Sequence, residues 1–106
     1  MNFGIIIYSN DPETVDNAFK LGVIALREGD EAKAFLLGKG VESETLGMDM
    51  FKVTDEIKVF TDEGGDIFAS EECFKIRHEV GSEACTRSTL KAMYDLIQEC
   101  DRVVTF

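Results

Sequence analysis

Residues 3–8 read FGIIIY, an apolar run with no polar residue interleaved, and this run constrains the fold more than any other stretch. A strand with one face in water alternates polar and apolar side chains. A run without alternation is covered on both faces, as in a parallel sheet. Parallel strands cannot be joined by hairpins, so such a run predicts crossovers of a dozen or more residues between strands.

The chain supplies those crossovers. Ser9, Asn10 and Asp11 close the first strand, and Asp11-Pro12 reads as a helix start, with a carboxylate at the N-cap and proline in the first turn. Val15, Ala18, Phe19, Gly22, Val23 and Leu26 then recur at helical spacing until Gly29. Residues 32–37 (AKAFLL) form a second strand, and Gly38-Lys39-Gly40 reads as a tight turn after it. Phe51, Thr54, Ile57 and Phe60 mark a second helix, stopped by Gly64-Gly65. Residues 66–70 (DIFAS) are a third strand, Leu90, Met93, Tyr94 and Ile97 a further helical stripe, and residues 102–106 a last strand. Strands alternating with helices predict an α/β protein with right-handed crossovers. The expected architecture is one domain over residues 1–106, a three-layer fold. Its mainly parallel sheet has four to five strands in flavodoxin-like order, with helices on both faces.

In such a sheet, ligands bind beyond the carboxyl ends of the strands where the strand order reverses. For the order 2-1-3-4 that crevice lies between strands one and three. It would bring Ser9 and Asn10 together with the loop Ser70-Glu71-Glu72-Cys73.

Charge and cysteine usage narrow the partners. Twenty-one acidic and eleven basic residues give a net charge of −10, spread through both halves of the chain. This opposes binding to nucleic acid or to anionic membranes, although Lys75, Arg77, Arg87 and Lys91 leave room for a small anion. No run approaches the ~18 apolar residues of a membrane span. The opening residues lack the pattern of a signal peptide, so a cytoplasmic location is expected. Three cysteines do not make a disulfide framework; they are core thiols, metal ligands or reactive thiols.

Cys73 admits two readings. In the first turn of a helical segment, with Lys75 and Arg77 nearby, it would be a reactive thiolate; as a small hydrophobe it would simply pack, and Glu71 and Glu72 disfavour the thiolate. Cys85 opens CTRSTLK, where Thr86 or Ser88 could cap the last helix; it sits at the helix's positive end or packs inward. Cys100 follows the last helical stripe and reads as core, and the lone His78 as solvated. The spacing C-x4-H-x6-C from Cys73 through His78 to Cys85 matches no standard zinc pattern. A phosphatase Cys-x5-Arg loop is absent, since Glu79 and Lys91 stand where the arginine would be, and Gly38-Lys39-Gly40 is not a P-loop. Neither a metal nor a cofactor is expected.

The stretch SNDPETVDNAFKLGVIALREGDEAKAFLLGKGVE, the helix ending FTDEGG, DIFASEECFKIR and CTRSTLKAMYDLIQECDRVVTF together resemble the DsrE/DsrF-like family, small α/β proteins related to the sulfur-relay subunits of the Dsr and Tus systems. The resemblance runs through almost the whole chain. It implies a flavodoxin-like fold and a homo-oligomer, a trimer or hexamer. It also implies a persulfide carried on a cysteine and passed to a partner protein.

Many relatives have Cys-x-x-Cys followed by an arginine. Here Ser70 stands at the first cysteine, Cys73 at the second, and Arg77 at the arginine. A serine cannot hold a persulfide. The resemblance therefore leaves Cys73 as the sulfur-carrying residue of a sulfurtransferase or sulfur carrier, with Cys85 resolving. Lys75 and Arg77 would stabilise the anion, and Ser9, Asn10 and Ser70 would shape the pocket. The alternative is a non-enzymatic oligomeric subunit that binds a small ligand or serves a structural role.

Overall fold

The computed structural model describes residues 1–46, 51–79 and 81–106. Five strands, β1 (Asn2–Ile7), β2 (Glu31–Leu36), β3 (Asp66–Ser70), β4 (Cys85–Ser88) and β5 (Arg102–Thr105), form one sheet in which every pairing is parallel. Four helices connect them: α1 (Pro12–Arg27), α2 (Val53–Asp62), α3 (Glu71–Arg77) and α4 (Leu90–Glu99). A 3-10 segment, Gly38–Thr45, leaves the end of β2. The three-layer α/β fold expected from the alternating runs is the fold observed.

Local chemistry explains the element boundaries. The Asp11 carboxylate accepts from the Thr14 amide at 3.0 Å and caps α1, with Pro12 directly behind it. Gly29 (φ 94°) and Gly64 (φ 104°) take the left-handed conformation just beyond α1 and α2. Gly40 marks a close approach, since a Cβ there would run into the Ile7 carbonyl at the end of β1.

The core lies on one face of the sheet. Ile5 and Ile7 of β1, Ala34 and Leu36 of β2, and Ile67 and Ala69 of β3 pack against Val15, Phe19 and Val23 of α1, Ile57 and Phe60 of α2, and Phe74 of α3. Phe19 and Phe60 meet edge to face, centroids 5.5 Å apart. The other face carries Ile6, Phe35 and Phe68 and is covered by α4, chiefly through Leu96.

The strand order is β4-β3-β2-β1-β5, which corrects the flavodoxin-like order 2-1-3-4. Strands one to four step steadily in one direction, and the link through α4 returns across the sheet to place β5 on the far side of β1. With right-handed crossovers, reversing direction moves the helix to the opposite face, which is why α4 stands apart from α1 and α2. The reversal therefore falls between β1 and β5, and β2 separates β1 from β3. Chain length and periodicity do not specify which sheet edge the next strand joins, so this part of the topology was open in the sequence.

A further correction concerns the cap of α4, and its exposed face is a new finding. Its cap is Thr89, whose Oγ1 accepts from the Ala92 amide at 3.1 Å; Thr86 and Ser88 lie in β4. Its residues Leu90, Tyr94 and Ile97 point outward, 64%, 56% and 39% exposed, while Leu96 faces the sheet. Among the described residues no helix is long and apolar enough to cross a membrane.

Candidate functional site

Ser70 ends β3 and begins α3. Its backbone is extended and its Oγ accepts from the Cys73 amide at 3.3 Å, which fixes the chain's turn from strand to helix. Cys73 therefore sits in the first turn of α3, above the carboxyl end of the sheet. Because β2 neighbours β3, the loop facing it is the start of the 3-10 segment. Gly38, held at φ 56°, donates its backbone N–H to the Cys73 sulfur at 3.3 Å. A donor aimed at the sulfur fixes the direction of the Cys73 side chain within the site.

Cys73 is half-buried and lines a cleft of about 450 Å³. Leu37 from the end of β2, Ser70, Glu71, Glu72 and Lys75 from the β3–α3 junction, and Ser88, Thr89 and Leu90 from the β4–α4 junction complete the lining. The cleft thus lies at the carboxyl ends of β2, β3 and β4. It is not at the strand-order reversal, and Ser9 and Asn10 do not line it. They lie beyond β1, where Ser9 Oγ accepts from the Asp11 amide at 3.0 Å.

The two cations near Cys73 are directed elsewhere. Lys75 Nζ lies 4.0 Å from Glu71. Arg77 Nε lies 3.4 Å from Glu42, and its NH1 donates to the Cys73 carbonyl at 3.4 Å. Both stay close to the thiol in sequence, yet their ionic contacts are with carboxylates. His78 is exposed and caps α3 in the left-handed conformation, φ 54°.

Cys85 is not at a helix terminus. It opens β4 opposite Ile67, three residues before Ser88, which pairs with Ser70. It is 7% exposed and belongs to the core cluster. Burial first, and the Glu44 carboxylate second, push its thiol up to about 12, against a smaller opposing effect of Arg87. A buried, protonated thiol at the amino end of an edge strand is not placed to resolve a persulfide on Cys73. Cys100 caps α4 and packs on Gly4, and burial above all pushes its thiol up as well. Among the described residues no three His, Cys, Asp or Glu side chains gather to hold a metal ion.

The contributions of Gly38, Glu42, Ser88, Thr89 and Leu90 were missed in the sequence. Gly38-Lys39-Gly40 was legible as a turn, but nothing local says that this turn faces Cys73. That follows from the adjacency of β2 and β3.

Comparison with solved structures shows the fold. The crystal structure of the ychN protein from E. coli superposes with a TM-score of 0.82 at 19% identity, covering 100% of both chains. A conserved protein of unknown function from Bacteroides thetaiotaomicron superposes at 0.79 with 15% identity, covering 99% of this chain and 94% of the other. These likenesses are consistent with the DsrE-like fold implied by the sequence resemblance. No protein-family model and no curated protein matches the chain.

Proposed function

We propose that this protein is a sulfane-sulfur carrier in which Cys73 holds the sulfur as a persulfide and passes it to a partner protein. The observation that carries the reading is the Gly38 N–H directed at the Cys73 sulfur inside the cleft. The Cys73 thiolate attacks the outer sulfur of a donor persulfide, R–S–SH. The Cys73 S–S bond forms as the donor S–S bond breaks, and the donor departs as R–S⁻. The sulfane sulfur keeps its oxidation state throughout, so no external oxidant is needed. An acceptor thiolate repeats the attack on the carried sulfur and returns Cys73 as the thiolate. This is thiol–disulfide exchange chemistry, which asks for an accessible thiol rather than a metal or general base.

The carrier works with one cysteine. Ser70, at the position of the relatives' first cysteine, serves as the α3 cap, and Cys85 takes no part. Donor and acceptor are separate proteins, and the location we propose is cytoplasmic. We propose further that the chain is a homo-oligomer, a trimer or hexamer, joined through the exposed α4 stripe of Leu90, Tyr94 and Ile97 to a second copy.

The competing reading, a subunit that binds a small ligand or is purely structural, is favoured by the pairing of Lys75 and Arg77 with carboxylates. Intact-mass spectrometry after exposure to a persulfide donor separates the two. A sulfur-sized gain in wild type and in Cys85→Ser, absent in Cys73→Ser, supports the carrier. The absence of any gain in wild type rejects it.

A further inference from the structure

We infer that Arg77 and Glu42 form a clamp that positions the Gly38 N–H on the Cys73 sulfur, so that Arg77 serves the thiol through the 3-10 segment rather than as a charge beside it. The value of the clamp rests on the sulfur-carrier reading, but its geometry does not.

Arg77 lies one turn after Cys73 and does not line the cleft. Its guanidinium joins two elements instead, with NH1 on the Cys73 carbonyl and Nε on Glu42, both at 3.4 Å. Glu42 is four residues beyond Gly38 in the same 3-10 segment, about 8 Å along its axis at ~2.0 Å per residue. The segment therefore touches α3 at two points, through Gly38 on the sulfur and through Glu42 on the arginine. Both lead back to Cys73.

Other contacts hold the segment mainly to the sheet and the core. Gly40 packs its backbone against the Ile7 carbonyl, which fixes how close the segment lies to β1. Val41 and Ser43 are buried and seat the middle of the segment in the core, so what is left to the Glu42–Arg77 bridge is the spacing between the segment and α3, on which the Gly38 N–H to sulfur contact depends. Glu44, which accepts from the Ser82 amide at 3.2 Å, ties the segment's far end to the loop after α3. A hydrogen bond to sulfur is sensitive to donor direction, so a small shift is enough to lose it.

The bridge is partly exposed at both partners, 26% at Arg77 and 30% at Glu42, so removing it should leave the fold intact. The test uses Glu42→Gln and Arg77→Met in the full chain, with two readings on each. The first is hydrogen exchange of the Gly38 amide by NMR, with β1 amides as the control for folding. The second is the rate of Cys73 alkylation at neutral pH, read in Cys85→Ser/Cys100→Ser to isolate the signal. The expected result is a loss of Gly38 protection and a fall in alkylation rate of roughly two- to fivefold in both variants, with β1 unchanged. Unchanged Gly38 protection overturns the inference. Lost protection without a slower Cys73 also overturns it, because the bridge would then be structural only. Neither reading involves a sulfur donor, so a protein that fails to load sulfur would sink the carrier and leave the clamp standing.

Discussion

Ser70 and Cys73 are joined by a capping hydrogen bond, Ser70 Oγ accepting the Cys73 amide at 3.3 Å, so the residue that ends β3 also aims the thiol. Serine at this position has a structural task that alanine cannot perform. Ser70→Ala should cost about 1 kcal/mol, a fall of about 4–8 °C in Tm for a domain near this size. Ser70→Gly should lose only a few tenths of that, because glycine is tolerated at N-caps. Thermal denaturation checks this; a Ser70→Ala variant that melts with the wild type would remove the capping hydrogen bond as a source of stability.

The Cys85 thiol should resist alkylation at neutral pH until the protein unfolds. Its ordinary value of 9.0 is raised to about 12 in the folded chain, first by burial and second by Glu44. The folded state holds its proton where the unfolded state has released it. Stability from this group is therefore complete below pH 9 and declines as pH rises from about 9 to about 12. Cys85→Val should flatten that alkaline decline in urea denaturation followed across pH. An unchanged profile would assign the decline to other groups.

At the acid end the relevant group is Asp11. Its carboxyl is held below the usual range by the Thr14 amide and then by the Thr14 hydroxyl. Here the folded value lies under the unfolded one. The stabilisation is present above pH 3.8 and is lost as pH falls through the lowered value. Asp11→Asn should keep most of the cap at neutral pH and reduce the acid dependence. A stability–pH curve with the wild-type slope between pH 5 and pH 2 would contradict this.

Gly40 is the position where a single methyl group should do most damage. A Cβ would enter the Ile7 carbonyl, and neither backbone can retreat without breaking β1 or the 3-10 segment. Gly40→Ala should lower the urea midpoint sharply, while Lys39→Ala at the exposed neighbouring position should stay within about 0.5 kcal/mol of wild type. Comparable effects at the two sites would mean the close approach is not tight.

The α4 stripe predicts a concentration-dependent assembly. Light scattering after gel filtration should give a multiple of the 11.8 kDa chain mass, and Tyr94→Glu should shift it toward a single chain. A wild-type monomer at high protein concentration would reject α4 as a contact between copies.

The elements were largely legible because each rests on local chemistry. The run over residues 3–8, the Asp11-Pro12 start and the 66–70 strand were readable from the apolar pattern and the capping residues alone, and they appear in the structure within a residue or two. The placement of Cys85 was not. Residues 85–88 are short and polar, and nothing in them marks β4; they become a strand because β3 offers an edge to pair with. The α4 stripe was legible as an apolar face, but periodicity locates such a face without saying what it meets.

By itself, then, the sequence determined a three-layer α/β protein with a thiol just past its third strand. Unbroken apolar runs must be covered on both faces, and helical stripes must pack on them. Only the tertiary structure decided what surrounds that thiol. Placing β2 beside β3 brings the Gly38 N–H to the Cys73 sulfur, leaves Ser9 and Asn10 one strand away, and buries Cys85 in the core. The physical reason is that strand order depends on which sheet edge each crossover reaches, a long-range outcome that no local stretch of residues encodes.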